Sequence, residues 1–328
     1  MIALDLVIVT YNRLEKLKKT IQHYENQTVS FRNLIIVNNC STDGTNDFLH
    51  SLPSYLGREN HKTCDIVIID SKENIGGSGG FYLGQKEAVK RNADWVFVAD
   101  DDAYADPYMI EEFYTFIETH DTGKIAAVCA KVLNMDGSIC LNHRDRYKVQ
   151  KDKSNPFCHQ FVRETSKEHD YEKDFFLVDI LSYVGSFLNT KVLKKAGLVN
   201  PKYFIYLDDS EHSIRIGHYG DIMVVPKLKI FHDSGADTML ANQNVILSWR
   251  AYYLTRNHYH MLLKHFPRCV IKEYVNQFRR TVGAWIHRSY VNEFELLERS
   301  AMWDAFWGRL GKHPLYKPGW NIEKEKTS

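Results

Sequence analysis

Residues 95–102, Trp-Val-Phe-Val-Ala-Asp-Asp-Asp, set five apolar residues directly before three adjacent carboxylates. So short an apolar run, rich in aromatic and β-branched side chains, reads as a strand, which puts Asp100, Asp101 and Asp102 at its carboxyl end. Neighbouring carboxylates repel one another, and each raises the proton affinity of the next. A divalent cation relieves that repulsion, and Mg²⁺ or Mn²⁺ favours oxygen ligands shared with phosphates. Acids also favour a helix start, but Asp106-Pro107 supplies an ordinary cap a few residues on, with proline at the first helical position.

Outward from that strand, apolar runs alternate with helical patterns. Leu4–Thr10 (LDLVIVT), Asn33–Val37 and Asp65–Asp70 are three further strand-like runs. Leu14, Leu17, Ile21 and Tyr24 recur at helical spacing, and residues 78–91 read as a second helix. Strand, helix, strand at this spacing predicts right-handed crossovers and an α/β fold with a doubly wound, mainly parallel sheet. Ligands of such sheets bind beyond the carboxyl ends of the strands. Those ends carry Thr10-Tyr-Asn-Arg13, Asn38 to Asp43, Asn74 to Gly80 and Asp100 to Asp102, all converging on one edge.

Further along, Ile125–Leu133 is another strand and ends in the hairpin-like Asn134-Met-Asp-Gly137. Residues 142–172 are charged, mixed in sign and weakly periodic, which predicts a mobile loop or insertion. Apolar strand character returns over 177–190 around Gly185, and again over Val224–Phe231. Beyond Trp249 the chain is helical and aromatic. The expected division is an α/β domain over residues 1–257 and a helical, aromatic-rich region over 258–328.

Forty-two basic residues stand against 41 acidic ones, which excludes bulk electrostatic binding to nucleic acid. The six cysteines include no Cys-x-x-Cys pair and lie mostly in apolar stretches, so reduced thiols are expected rather than a disulfide framework. No run approaches the ~18 apolar residues of a membrane span, and Met1-Ile-Ala-Leu-Asp5 enters a strand without a signal-peptide pattern. A cytoplasmic location follows as the expectation. Lys264-His-Phe266, Trp285-Ile-His-Arg288 and Trp307-Gly-Arg309 add a basic, aromatic composition. It suits either a packed helical subdomain or peripheral contact with the inner face of a membrane carrying a lipid-linked acceptor.

Three more segments carry candidate chemistry. Asn74-Ile-Gly-Gly-Ser-Gly-Gly80 precedes a helix, where glycines admit close backbone approach and helix amides attract anions. It is not a Walker loop, because no Gly-Lys-Ser/Thr follows. Asp208-Asp209-Ser210-Glu211 leads into a helix and reads either as an exposed helix start or as the seat of a general base for an acceptor hydroxyl. His232, at the end of a strand, is either structural or a further metal ligand.

In order, these pieces resemble the family 2 glycosyltransferases with the GT-A fold. Val7-Ile-Val-Thr-Tyr-Asn-Arg13 looks like their opening strand and loop, Val37-Asn-Asn-Cys-Ser-Thr-Asp-Gly-Thr45 like their second-strand signature, and Asp100-Asp101-Asp102 like their acidic motif. Asn74-Ile-Gly-Gly-Ser-Gly-Gly-Phe81, Leu207-Asp-Asp-Ser-Glu211, Phe231-His232 and Trp249-Arg-Ala-Tyr-Tyr-Leu-Thr-Arg-Asn257 are similar to the bacterial galactofuranosyltransferases and their rhamnosyltransferase-like relatives.

The resemblance implies a catalytic base at Asp208, and Asp100, Asp102 and His232 around Mn²⁺ or Mg²⁺ and the diphosphate. Thr10, Arg13 and Asn39 would lie around the nucleoside, with Asn74, Gly76 and Gly77 near the diphosphate and sugar; Asp101, Asp209 and Trp249 complete the implied substrate-binding set. Many members carry Asp where this chain has Asn39, and the galactofuranosyltransferases carry Trp at Leu207. The implied activity is inverting transfer of a sugar, galactofuranose from UDP-galactofuranose first, onto a saccharide or lipid-linked glycan in bacterial cell-surface polysaccharide synthesis. A dTDP-rhamnose-dependent rhamnosyltransferase is the alternative within the family. Outside it stand a nucleotidyltransferase, whose first loop is usually glycine-rich and basic, and a non-catalytic nucleotide-sugar-binding module, which needs no distant base.

Overall fold

Alternate residues of strand β1 (Leu4–Thr10) face opposite ways. Leu4, Leu6 and Ile8 enter one core, and Val7 and Val9 enter another. Such a strand needs cover on both faces and belongs inside a sheet flanked by helices. The computed structural model describes residues 2–52, 55–58, 61–153, 155–233, 248–286 and 292–321. In it β1 pairs in parallel with β2 (Asn33–Asn38), and β2 with the second strand of the hairpin β3 (Tyr55–Arg58) and β4 (His61–Asp70). On its other side β1 pairs in parallel with β5 (Trp95–Asp100).

One face is covered by α1 (Leu14–Glu25), α2 (Thr45–Ser51) and, after α3 (Gly76–Lys90) in the chain, by α4 (Met109–Thr119), through Leu17, Ile21, Tyr24, Leu49, Ile110 and Phe113. The other carries α3. Helix α3 lies close on β1 because Gly80 and Gly84 present no side chain. A Cβ built there would fall 2.4 Å from Val9 Cγ1 and 2.1 Å from Val7 Cγ1.

The rest of the sheet uses shorter strands. After β6 (Ala103–Ala105) and β7 (Ile125–Leu133) come β8 (Arg144–Asp152), β9 (Asn155–Thr165), β10 (Phe176–Val178), β11 (Ile180–Leu181) and β12 (Ser186–Asn189). Helices α5 (Thr190–Ala196) and α6 (Asp208–Gly217) precede β13 (Asp221–His232). Among the described residues the sheet has ten strands in the order β10-β13-β7-β12-β5-β1-β2-β4-β3, with β6 on β13. It is mixed, parallel over β5-β1-β2-β4 and over β13-β7, and antiparallel elsewhere.

Residues 142–172, expected as a mobile loop or insertion, are instead largely extended in β8 and β9. Their strand period is masked because Lys148, Val149, Gln150 and Lys151 are all exposed, so no apolar face alternates with a polar one. The described residues also divide differently from the linear partition after Asn257. One unit falls within Met1–Arg146, Glu164–Pro201 and Asp209–Ser234, the other within Tyr147–Arg163, Lys202–Asp208 and Gly235–Ser328.

The second unit contains α7 (Trp249–His265), α8 (Ile271–Ile286) and α9 (Glu293–Phe306). Phe204, Trp249, Tyr252, Tyr253, Leu297 and Tyr316 form its aromatic core. No helix among the described residues is long and apolar enough to cross a membrane. Cys64, Cys129 and Cys158 are buried. His287 and Arg288 of the basic, aromatic stretch lie outside the described residues.

Candidate active site

Strand register sets the triplet in place. Asp100 lies opposite Val9, and Thr10 opposite Asn38, so the ends of three neighbouring strands meet at one edge. Strand β13 brings His232 there through its pairing with β6, where His232 faces Ala103, one residue past the triplet.

The three carboxylates are held differently. Thr10 Oγ1 donates to Asp101 Oδ2 at 2.7 Å, and Arg13 Nη1 donates to Asp101 Oδ1 at 3.2 Å and to Asp102 Oδ2 at 2.7 Å. Lys16 Nζ lies 3.4 Å from Asp102 Oδ2 and also donates to the carbonyl of Asp233. His232 Nε2 stands 3.4 Å from Asp102 Oδ1. Burial, then the charge of Asp102, pushes the Asp100 carboxyl up to about 7; burial carries Asp101 to about 6 against the pull of Arg13. Burial acts on Asp102 too, but His232, Arg13 and Lys16 outweigh it and hold that group below its usual range. His232 is raised in turn, because Asp102 and Asp100 overcome its burial.

These residues fit a divalent cation. Ligand atoms of Asp100, Asp102 and His232 lie within 4.8 Å of one another, and among the described residues buried Asp102 Oδ1 accepts no hydrogen bond. Two carboxylates and an imidazole suit Mn²⁺ well, and the carboxylates suit Mg²⁺.

Beside the triplet, Asn39 Oδ1 accepts from the backbone of Ile75 at 2.9 Å, and Asn39 Nδ2 lies 3.2 Å from Asn74 Oδ1. Asn74 Oδ1 also accepts from the amide of Gly76 at 2.9 Å. Asn39, expected at the nucleoside, is thus built into the turn that starts α3. Gly76 needs its φ of +76°, whereas Gly77 faces open space: a Cβ there meets nothing within 4 Å.

The acids of 208–211 have separate surroundings. Asp208 begins α6 and is buried. Asp209 Oδ1 accepts from the backbone and hydroxyl of Ser210, at 2.6 and 3.2 Å. Glu211 takes both carboxylate oxygens to Arg215 Nε at 3.0 and 2.9 Å, and Arg215 donates to the carbonyls of Ala196, Gly197 and Leu198. Glu211 thus orients Arg215, which ties α6 to the segment after α5. Trp249, expected at the substrate, packs with Phe204 and Tyr253 in the aromatic core of the second unit.

Three neighbours of the site escaped sequence reasoning. Lys16 lies one helical turn beyond Arg13, a spacing that could have flagged it. Tyr104 donates to Asp233 Oδ2 at 3.0 Å, and His143 packs edge-on against His232 at 5.1 Å with burial keeping it well below the usual histidine range. Nothing in the local pattern marks either one.

The mixed sheet flanked by helices is shared with solved glycosyltransferases of the GT-A fold. GalNAc-T7, solved with UDP, GalNAc and Mn²⁺, aligns with a TM-score of 0.56 at 12% identity, over 94% of this chain and 56% of that one. TarS 1–349 of S. aureus, in complex with UDP-GlcNAc, aligns with a TM-score of 0.54 at 15% identity, over 93% and 80%. At such identities the likeness is one of fold.

The family follows from sequence. The model for glycosyl transferase family 2 matches residues 5–179, just over half of the chain, and the chain belongs to that family. Among its relatives is galactofuranosyltransferase GlfT1 of Mycobacterium tuberculosis, 31% identical over 135 residues, 40% of each chain. The Mycolicibacterium smegmatis protein of that name is 31% identical over 134 residues, 40% of this chain and 39% of its own. The matched stretch thus spans about two fifths of these relatives.

Proposed function

We propose that this chain transfers galactofuranose from UDP-galactofuranose to a saccharide or lipid-linked glycan, in one displacement that inverts the anomeric carbon. The observation that carries the reading is the Asp100, Asp102, His232 group at the strand ends of a family 2 sheet, with Asp102 Oδ1 buried and, among the described residues, lacking a hydrogen bond. The galactofuranosyltransferase relatives support the choice of sugar.

Asp100, Asp102 and His232 would hold Mn²⁺ or Mg²⁺, which when bound offsets the charge of the departing diphosphate. A neighbour in fold was solved with UDP and Mn²⁺, which favours manganese. Arg13, fixed by Asp101 and Asp102, keeps a cation at the same edge. The first amides of α3, bared at Gly77, suit a phosphate oxygen. An aspartate is ordinarily ionised at neutral pH, the state in which Asp208 takes the acceptor hydroxyl's proton as the new C–O bond forms. The nucleoside diphosphate leaves from the opposite face of the sugar.

For a lipid-linked acceptor, the second unit exposes Phe278 and Trp307, flanked in sequence by Arg279, Arg280 and Arg309. Salt-sensitive cosedimentation with anionic vesicles is the expected result; binding unchanged in Phe278→Ser/Trp307→Ser counts against it.

The deciding experiment is nucleoside diphosphate release from a panel of UDP-galactofuranose, dTDP-rhamnose and UDP-GlcNAc, with Asp208→Asn and Asp209→Asn run beside the parent. Asp208→Asn should lose ~10²–10⁴-fold in turnover and little donor affinity, and Asp209→Asn should lose less. Full turnover in Asp208→Asn with severe loss in Asp209→Asn moves the base one residue along. Full turnover in both sinks the single displacement.

A further inference from the structure

Between Tyr203 and Asp208 the chain takes a path that most residues avoid. Phe204, Tyr206 and Leu207 have φ of +68°, +68° and +59°. Glycine enters this left-handed region freely, and bulky side chains rarely do. Had the chain needed only to reverse direction, glycine would have served. Three large residues held in this conformation instead mark a segment whose position is over-determined by its surroundings.

Those surroundings lie on α7. Asn257, fully buried, shares the two N–H groups of its side-chain amide among the carbonyls of Tyr203 at 3.0 Å, Ile205 at 2.8 Å and Tyr206 at 2.9 Å. Arg256, also buried, donates Nη2 to Tyr203 O at 2.9 Å and Nη1 to Gly311 O at 2.6 Å. Its Nε donates to Asn257 Oδ1 at 3.0 Å. That bond fixes the amide: with Oδ1 turned to the arginine, Nδ2 faces the turn. The guanidinium rests on the rings of Tyr252 and Tyr253, 5.5 and 4.8 Å from their centroids. Phe204 packs on Trp249 and Tyr253, and Tyr203 Oη meets His260 Nδ1 at 2.9 Å. Positions 249, 252, 253, 256, 257 and 260 recur at spacings of three and four, so one face of α7 grips the turn.

We infer that Arg256 and Asn257 are positioning residues for the transfer reaction: they lock the Phe204–Leu207 turn, and through it the place of the Asp208 carboxylate. The inference rests on the reading of Asp208 as base. It also makes the half-exposed Ile205, Tyr206 and Leu207 a fixed surface next to that base. The aromatic, arginine- and asparagine-bearing segment of α7 then serves catalysis without touching substrate.

The test compares turnover, using the donor that the panel shows to be accepted, with calorimetric binding of the nucleoside diphosphate released from it in Mn²⁺. Asn257→Ala should lose about 10- to 10²-fold in turnover, as a small misplacement of a reacting group does. Its Kd for the nucleoside diphosphate should stay within about twofold of the parent's. On an Asp208→Asn background the same substitution should cost nothing further, since no base remains to be positioned. Adding Leu207→Gly to Asn257→Ala removes the cost of the left-handed backbone and should restore part of the turnover. Should Asn257→Ala not fold, Arg256→Lys keeps the charge, lacks the Nε bond that orients the amide, and should show the same split. Parent turnover in the α7 variants, equal losses of binding and turnover, or a full multiplicative loss on the Asp208→Asn background would each overturn the inference. Failure of the base reading shows separately, as parent turnover in Asp208→Asn itself.

Discussion

The acid triplet and the turn before Asp208 are both fixed in space, but by opposite means. Asp100 sits in a strand with hydrogen-bonded neighbours on both sides, and its place is inherited from the register of β1, β5 and β12. The turn from Phe204 to Leu207 has no such ladder, and buried side chains from a helix some fifty residues later hold it against its own backbone preference. A ladder tolerates side-chain change as long as the strand forms. A clamp fails with one amide. The sheet edge should therefore fail through loss of charge, and the turn through loss of geometry.

The largest expected effect lies on the ladder side. Asp102→Ala removes the carboxylate shared by His232, Arg13 and Lys16, and turnover should fall by at least ~10²–10³-fold, as when one preorganised electrostatic partner is lost. Divalent-metal dependence should go with it. Parent-rate transfer by the variant in excess chelator would break the assignment of a metal to this edge.

The contrast also explains what the sequence made legible. A strand declares itself through a local apolar run, and the residues at its end follow automatically. Thr10, Arg13, Asp100, Asp101 and Asp102 could all be named from residues 4–13 and 95–102 alone, and they do come together. His232 required a pairing between β13 and β6 that no local pattern reveals; its place at the end of a strand left a structural role and a ligand role both open, and the family resemblance favoured the second. The three left-handed residues are invisible in sequence, because no glycine or asparagine signals them. Their partners on α7 read as a generic aromatic helix, and Trp249 was expected at the substrate when it packs in the core. The hairpin of β8 and β9 was missed for a related reason, since a strand exposed on both faces has no apolar alternation.

The glycine-rich start of α3 sharpens the comparison at the next scale down, because its glycines divide by role. Gly84→Ala would press a methyl group against Val7, and overpacking of this kind costs ~1–3 kcal/mol. Gly77→Ala meets open space, so its unfolding free energy should stay within ~1 kcal/mol of the parent's. If Gly77 lies at the diphosphate as proposed, that variant should nevertheless bind UDP more weakly. Urea titrations and UDP calorimetry on both variants check this. Equal destabilisation would show that the helix is seated by something other than its closest contacts.

The last effect expected concerns His212, which ties α6 down directly after the acid cluster. Its Nδ1 accepts from the hydroxyl of Tyr183 at 2.6 Å, and its Nε2 donates to the carbonyl of Gly197 at 3.0 Å. Burial, then the charge of Arg215, pushes its pKa from 6.5 down to about 3. The unfolded chain therefore binds one more proton than the folded chain between these values, and stability contributed by neutral His212 is lost as pH falls below about 6.5. One proton corresponds to a slope of ~1.4 kcal/mol per pH unit. His212→Gln can still offer a donor and an acceptor but does not titrate. Its unfolding free energy should fall less steeply than the parent's between pH 6 and pH 4, by about that slope. Chemical denaturation at several pH values measures the difference directly, and the absolute stability of the variant need not match the parent's. Parallel curves would mean that His212 takes up its proton without leaving its place, and that α6 is held by its other ties, Arg215 to the carbonyls of Ala196, Gly197 and Leu198 and Ser213 to Leu181.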